Sequence, residues 1–264
     1  MKTMINKTIW LLFIAVAVAS CSKDDDCDPE DENSPCYVGV SSGDRLLLTE
    51  EKTNGKTEMR FEYNEQNQVV VRHVHGVEGS LTTEHFTYNG NKMIKLERKT
   101  NGQFVMSEAY TYGAGDRPVS ATWTDSDVVA NVLYEYVNNT VIEKVYTPEG
   151  GININSYTFD SNGENLLKAE ITAGGLLLST IEYGDYDDKH YRYTAYPWSW
   201  KSRSLNNARS QKLKAMGVEG GEISRDDIWK YTYNAAGYPT KAEVYDKASN
   251  TLIETREFTY KKAN

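Results

Sequence analysis

A three-residue pattern, aromatic–polar–aromatic, recurs along most of the chain. The triplets lie at 61–63, 86–88, 110–112, 134–136, 157–159, 181–183, 231–233 and 258–260. Their middle residue is always Glu or Thr, and Ile181 is the one outer position that is not aromatic. Because residues i and i+2 of a strand face the same side, each triplet predicts a strand with one packed face and one solvated face.

Turn residues separate the strands at regular intervals. Asn-Gly and Gly-Gly pairs that tolerate positive φ follow or precede the triplets, as at 54–55, 89–90, 101–102 and 174–175. The third positions of the first six triplets are 23–25 residues apart, so each period of about 24 residues predicts one β-hairpin. The chain is therefore expected to be all-β. We predict an antiparallel meander of about 14–16 strands that forms a curved or rolled sheet, since so long a sheet must curl, split or close.

The spacing is interrupted once, where the triplets at 181–183 and 231–233 are 50 residues, or about two periods, apart. The segment from Ser204 to Met216 predicts a short helix, with Ser204 as N-cap and Gly217 just past its end. We assign the insertion to residues 197–227 of a single repeat domain at 37–264.

Five aromatic residues lie at the start of this interruption: Tyr191, Tyr193, Tyr196, Trp198 and Trp200. Insertions that break a repeat often carry function, so the cluster is a candidate ligand-binding platform for sugar rings. The alternative is that the rings pack the insertion onto the concave side of the sheet.

The first twenty residues have the character of a secretory signal peptide. Lys2 and Lys7 precede an apolar run of 11 residues, 9–19, which is too short to span a bilayer as a helix. The run ends in Val-Ala-Ser before Cys21, which resembles the lipobox of bacterial lipoproteins. That resemblance implies a signal peptide at 1–20, acylation of Cys21 and a membrane partner held through the lipid anchor. An ordinary signal peptide followed by a coincidental cysteine is the alternative.

An acidic tether follows at 21–36. Its first residues, Ser22, Lys23, Asp24, Asp25 and Asp26, resemble the export signal of Bacteroidota lipoproteins that face the cell exterior. A solvated acidic linker is the alternative. Cys27 and Cys36 remain as a candidate disulfide in an oxidising compartment, with two free thiols as the other possibility.

The repeat resembles a known family. Tyr-Thr-Tyr-Asn-Ala-Ala-Gly at 231–237 and Tyr-Thr-Phe-Asp-Ser-Asn-Gly at 157–163 are similar to the YD (RHS-like) repeat, whose core is Tyr-x-Tyr-Asp-x-x-Gly. Over about residues 45–263 the chain looks like uncharacterised Bacteroidota lipoproteins with degenerate YD-like repeats. It departs from the strict pattern, since Asn64, Asn89 and Gly113 stand where Asp is expected.

Composition and missing motifs narrow the function. With 29 Lys+Arg against 38 Asp+Glu, the net charge is −9 and no basic run is present, which argues against nucleic-acid binding. No nucleotide-binding, hydrolase or metalloprotease motif occurs, so we expect no enzyme activity and no cofactor. His73, His75 and His85 are too weak a pattern to predict a metal site.

The predicted function is therefore that of an outer-membrane lipoprotein exposed at the cell surface. We expect a non-catalytic binding or structural role, with assembly onto a surface protein partner. The alternative is a glycan-binding lipoprotein that captures polysaccharide with the aromatic cluster at 191–200.

Overall fold

A computed structural model describes residues 40–264 apart from 194, 203 and 218–220. This part of the chain forms sixteen strands, one four-residue helix and one turn of 3-10 helix, Val77–Gly79. The elements are β1 (Leu46–Thr53), β2 (Lys56–Tyr63), β3 (Val69–His75), β4 (Leu81–Asn89), β5 (Lys92–Thr100), β6 (Gln103–Tyr112), β7 (Pro118–Asp125), β8 (Val129–Val137), β9 (Thr140–Tyr146), β10 (Ile152–Phe159), β11 (Leu166–Ala173), β12 (Leu176–Tyr186), α1 (Ser199–Ser202), β13 (Ala208–Met216), β14 (Glu222–Tyr233), β15 (Pro239–Asp246) and β16 (Leu252–Lys262).

The sixteen strands close into a barrel. Every strand pairs antiparallel with its neighbours in sequence, and β16 pairs with β1 from Leu46↔Lys262 to Thr53↔Arg256. The all-β antiparallel meander and its strand number are confirmed, and the sheet, predicted only to be curved or rolled, closes into a barrel. Closure gives β1 and β16 ladder partners on both sides and leaves the sheet without an edge.

The repeat unit is the predicted hairpin. All eight triplets lie on the even-numbered strands, and the odd-numbered strands lie between them. Connections from odd to even strands therefore meet at one end of the barrel, and those from even to odd strands meet at the other. We call the first the cup end and the second, which also carries residues 40–45 and the C-terminus, the plug end.

The helix predicted from Ser204 to Met216 is wrong. Residues 208–216 form strand β13, which pairs along its length with β12 and β14. Ser204 does not cap a helix, because its Oγ accepts a hydrogen bond from the backbone N–H of Leu166 at 3.2 Å. The only α-helix in the described residues is α1, inside the connection between β12 and β13.

The insertion is also shorter than predicted. Both β13 and β14 belong to the regular meander, so the gap of 50 residues is one ordinary period plus an enlarged connection. That connection, residues 187–207, is here called the plug. It replaces the predicted insertion at 197–227.

The two faces of the wall differ as the triplets predict. First-position aromatics such as Phe61, Phe86 and Tyr110 are 5–6% exposed and face the barrel interior. The middle residues face outward and are exposed, except for half-buried Thr158. Alternation along closed strands thus puts the aromatic core inside the barrel.

Third-position tyrosines fasten five of the eight hairpins at their open ends. The hydroxyl of Tyr112 on β6 donates to the carbonyl of Met93 on β5 at 2.7 Å. The same bond recurs in four other hairpins at 2.7–2.8 Å: Tyr63 to Leu48, Tyr88 to Val69, Tyr136 to Pro118 and Tyr260 to Pro239. Burial raises the pKa of Tyr112 to about 12, so its hydroxyl stays protonated and able to donate.

Removing one of these hydroxyls tests their role. We expect Tyr112→Phe to lower the free energy of unfolding by about 1 kcal/mol, because the Met93 carbonyl loses its donor. Tyr245→Phe is the matched control, since its hydroxyl lies on the outer face and donates to the Glu243 side chain, and we expect a change within about 0.5 kcal/mol. Equal losses in urea unfolding of the two variants would contradict the fastening role.

Candidate functional site

The plug fills the plug-end half of the barrel interior. Its two ends are joined by a backbone hydrogen bond from the N–H of Tyr191 to the carbonyl of Leu205 at 2.8 Å. The N–H of His190 also donates to the carbonyl of Gly237 at 3.0 Å, and the Asp187 carboxylate accepts the N–H of Asn207 at 3.0 Å. These bonds hold the two ends of the plug at the plug end of the barrel, while its centre lies among the inward-facing side chains.

Aromatic residues of the plug meet the first-position aromatics of successive triplets. Tyr193 lies 6.0 Å from Phe61 and Trp198 lies 5.2 Å from Phe86, measured between ring centroids. Trp200 lies 5.4 Å from Tyr110 and 6.4 Å from Tyr134. The contacts with the two Trp rings are edge-to-face, a favourable arrangement for aromatic pairs.

The predicted ligand platform is therefore part of the core. Trp198 and Trp200 are 8% and 9% exposed, and Tyr191, Tyr193 and Tyr196 are half-buried. The indole N–H of Trp198 donates to the hydroxyl of Tyr110 at 3.2 Å. The five residues are arranged as the alternative interpretation describes: they pack the insertion against the concave side of the sheet.

Buried ion pairs hold the plug and the wall together. Glu51 is fully buried and accepts a hydrogen bond from Nη1 of Arg256 at 2.7 Å, while Nε of Arg192 in the plug lies 3.7 Å away. Tyr193 of the plug also donates to Glu51. Glu51 is thus the common partner of two guanidinium groups and one phenol in the barrel interior.

A second buried carboxylate binds cations of the wall. Glu84 is 2% exposed and is held by Nε of Arg72 at 2.6 Å and Nη2 of Arg98 at 2.8 Å. Arg72 in turn bonds the hydroxyl of Tyr196 and lies 5.2 Å from the Trp198 ring. This arrangement links the plug to strands β3, β4 and β5.

Glu143 is the third such carboxylate, and its charged partner is Lys201 of the plug. It accepts from Nζ of Lys201 at 2.7 Å, Nδ2 of Asn155 at 2.8 Å and the hydroxyl of Tyr134 at 3.0 Å. Burial would raise the pKa of Glu143, but Lys201 and these hydrogen bonds outweigh it and hold the pKa below the usual 4.5.

The Glu143 pair predicts a pH dependence. A lowered folded-state pKa gives stability that is present above pH 4.5 and lost as pH falls through the folded pKa. We expect Glu143→Gln to be less stable than the native protein at pH 7, because buried Lys201 loses its counter-charge, and the gap to shrink below pH 4.5. Urea unfolding at pH 7, 5 and 3.5 measures it; a gap that is constant with pH would contradict the assignment.

Part of the interior near the cup end is open. A cavity of about 550 Å³, here called the cup, lies between the inner faces of β6 to β10 and the end of α1. Residues of the cup-end turns, Val128 and Glu149, line it together with the wall, so it opens at that end. Its size and position match those of ligand sites in the mouths of barrels.

The wall of the cup combines apolar and polar side chains. Val132 and Val145 are paired across β8 and β9, while Glu108 and Trp123 are paired across β6 and β7. Asn155, Glu143 and Lys201 form its polar floor with the bonds described above. An apolar wall with a few convergent polar groups is typical of a binding site.

A smaller cavity of about 240 Å³ lies between the plug and strands β11 to β14. It is lined by tyrosines and by Arg192 and Trp229. Nε of Arg192 and Nε1 of Trp229 are buried and find no hydrogen-bond partner among the residues that the structure describes. Buried polar groups of this kind are commonly satisfied by ordered water.

The outer face of the wall is covered with charges. Lysines and glutamates pair along neighbouring outward positions, as in Lys144–Glu135 and Lys241–Glu243 at 2.5 and 2.8 Å. Outward Lys and Arg side chains are costly in hydrocarbon and well solvated in water. No helix within the described residues is long and apolar enough to cross a membrane.

The remaining residues singled out from the sequence are the histidines, the three cysteines and the export signal. Nε2 of His73 lies 2.6 Å from Oε1 of Glu62 on the outer face. Among the residues that the structure describes, no group of three or more His, Cys, Asp or Glu side chains is placed to hold a metal. Cys21, Cys27, Cys36 and the export signal at 22–26 lie outside the described residues.

Sequence reasoning did not find the cup. Its key residues, however, follow a signal that the repeat contains. Glu108 stands two positions before the first aromatic of its triplet, as Glu84 and Asn155 do before theirs. Extending the i, i+2 pattern by one step places these polar residues on the inner face.

Solved structures similar to this chain include two porin-like proteins. No family model matches the chain, and no curated protein matches it. A porin-like protein from Bacteroides vulgatus is 12% identical with a TM-score of 0.43, over 81% of this chain and 99% of that chain. A porin-like protein from Bacteroides uniformis is 11% identical with a TM-score of 0.42, over 81% of this chain and 97% of that chain. Sequence identities and TM-scores this low do not indicate a shared function.

Proposed function

We propose that the chain is a lipid-anchored, non-catalytic binding protein of the outer membrane that holds its partner in the cup. The carrying observation is the division of the barrel interior, which the plug fills at one end and which is open at the other over about 550 Å³. The lipidated Cys21 and the acidic export signal supply the anchor and the exposure at the cell surface. The YD-like Bacteroidota lipoproteins are the proposed family.

The chemistry of the cup supports binding rather than catalysis. The lowered pKa of Glu143 makes it a poor proton donor near neutrality. The carboxylate of Glu143 also outweighs the effect of burial on Lys201 and raises the pKa of that ammonium, which makes Lys201 a poor base. Both groups are engaged with each other, so they serve as a fixed polar floor.

The cup end of the barrel carries exposed apolar residues, here called the rim. They lie at the cup end of strands that wall the cup: Phe104 is 45% exposed, Val129 is 59% exposed and Ile152 is 41% exposed. Exposed apolar groups around a concave, partly polar centre are typical of an interaction surface.

Site-specific crosslinking on intact cells tests this function. p-Benzoylphenylalanine is placed at Phe104 in the full-length lipoprotein, with Val137 as the control because it is 50% exposed at the plug end. We expect one discrete adduct from position 104 and none from position 137. Adducts of equal yield from both positions would contradict a partner site at the cup.

A glycan ligand is the second candidate, and a specific observation favours it. Trp123 offers an aromatic face beside the Glu108 carboxylate, and the amides of Asn153 and Asn155 lie in the same cavity. Such a set can stack on a sugar ring and bond its hydroxyl groups. A polysaccharide array probed with the full-length protein tests it: Trp123→Ala should abolish binding and Val137→Ala should not. If neither the array nor crosslinking at position 104 gives a partner, the binding function is wrong.

A further inference from the structure

The cup carries more negative charge than its own cation compensates. Glu108 and Glu149 line it together with the Glu143–Lys201 pair, and Asp125 ends the strand that carries Trp123. Within the described residues, no lysine, arginine or histidine nitrogen lies within 4.0 Å of the Glu108, Glu149 or Asp125 carboxylates, whereas Lys201 lies 2.7 Å from Glu143. The cup therefore has an excess of carboxylates.

The cationic side chains near Glu108 already form ion pairs with other carboxylates. Arg98, which faces the interior on the strand next to Glu108, binds Glu84 at 2.8 Å. The Glu108 carboxylate accepts a hydrogen bond from Tyr110, which occupies one of its oxygens. Glu108 can thus accept further hydrogen bonds from a ligand. A bound cation would not have to displace Arg98 or Lys201, because each of them is paired with another carboxylate.

An aromatic side chain adjoins this carboxylate. Trp123 is the direct cross-strand partner of Glu108, and both line the cup. A cation bound at Glu108 would lie beside the indole ring, whose negative face attracts ammonium and guanidinium groups. Such an arrangement discriminates a basic group from a neutral or acidic one.

The apolar rim lies at the same end of the barrel as this acidic, aromatic centre. Phe104 and Val105 lie at the cup end of the strand that carries Glu108, and Val129 begins another strand of the cup wall. A single small amine would fill the centre and leave the rim uncovered. A polypeptide with a basic side chain flanked by apolar ones would match both regions.

We propose that the cup receives a lysine or arginine side chain of a protein partner, with apolar neighbours of that residue covering the rim. This inference rests on the proposed binding function and names the chemistry of its partner. Charge complementarity at the centre supplies selectivity, and burial of the rim supplies apolar contact area.

Fluorine NMR of the full-length lipoprotein in detergent tests the proposal with two matched probes. The protein carries 5-fluorotryptophan, and the signal of Trp123 is assigned by its loss in Trp123→Phe. The probes are Nα-acetyl-lysine amide and Nα-acetyl-norleucine amide, which lacks the ammonium group. We expect the lysine probe to shift the Trp123 signal saturably and the norleucine probe to leave it in place. The Trp229 signal, from the other cavity, should not move.

Substitutions locate the charge that is responsible. Glu108→Gln should weaken the lysine probe by about tenfold, a change typical of losing a charge-assisted hydrogen bond. Glu257→Gln on the outer face is the control and should bind like the native protein. If Glu108→Gln fails to fold, Glu149→Gln at the exposed rim should still weaken the probe measurably.

Each outcome decides the proposal. Equal shifts with both probes, or unchanged affinity in Glu108→Gln, would overturn recognition of a basic side chain. A polysaccharide that binds and shifts the Trp123 signal, while the lysine probe does not, would also overturn it and would identify a glycan site. An adduct from position 104 together with no response to the lysine probe would support the binding function and contradict only the recognition of a basic side chain.

Discussion

Replacing Glu51 by alanine is expected to lower the free energy of unfolding by about 3–5 kcal/mol, a loss typical of breaking a buried ion pair. Glu51 is fully buried, and its removal leaves Arg256 and Arg192 in the barrel interior without their shared counter-charge. The donor hydroxyl of Tyr193 also loses its acceptor. The plug and strand β1 should therefore loosen together.

The neighbouring carboxylate is a control for this experiment. Glu50 precedes Glu51 on β1, binds Arg60 at 3.0 Å and faces the outside of the barrel. We expect Glu50→Ala to cost less than about 1 kcal/mol, because exposed ion pairs contribute little. Comparable losses for the two variants in chemical unfolding would mean that Glu51 is not the interior partner of the plug.

Trp198→Ala is expected to cost about 3–5 kcal/mol, the range for removing a large aromatic side chain from a core. Trp198 packs edge-to-face on Phe86, lies beside the Arg72 guanidinium and donates a hydrogen bond to Tyr110. The cavity that alanine leaves cannot close, because a closed sixteen-stranded wall surrounds it. Thermal and urea unfolding should both show the loss.

This result separates the two interpretations of the aromatic cluster. An exposed sugar platform predicts that Trp198→Ala leaves stability unchanged and removes polysaccharide binding. Phe104→Ala, at the exposed rim, provides the comparison and should change stability by less than about 1 kcal/mol. A Trp198→Ala variant as stable as Phe104→Ala would contradict packing of the plug inside the barrel.

The strands could be predicted because their signal is local. Each triplet, such as Tyr110-Thr111-Tyr112, shows both the period of two and the aromatic preference of strands within a few residues. Turn residues such as Asn89-Gly90 mark the ends of the hairpins equally directly. Eight triplets therefore gave eight hairpins and the correct number of strands.

Closure could not be predicted because it depends on distant residues. The seam joins Thr53 to Arg256, about 200 positions apart, and nothing near either residue distinguishes a closing edge from an open one. Strand β13 was mistaken for a helix for a related reason. Its inward residues Gln211, Leu213 and Ala215 include one large apolar side chain, so its alternation is weak and the ladders on both sides determine its structure.

The candidate site was only partly visible in the sequence. The cluster at 191–200 was found because aromatic residues are conspicuous, but whether such a cluster faces solvent depends on where its loop lies. Glu108 and Trp123 are 15 residues apart on different strands, and only the register of β6 and β7 brings them together. Register follows from turn geometry and bulges, which a single repeat pattern does not specify.

Both the plug and the cup depend on the closed wall of the barrel. Two cysteine pairs test it in a background with Cys27 and Cys36 changed to Ser. Lys52→Cys with Glu257→Cys spans the β1–β16 seam, and Lys241→Cys with Glu257→Cys spans the β15–β16 pair, which an open sheet also contains. Under mild oxidation of the folded protein we predict an intramolecular disulfide in both. A disulfide only between positions 241 and 257 would contradict closure, and with it the plug and the cup.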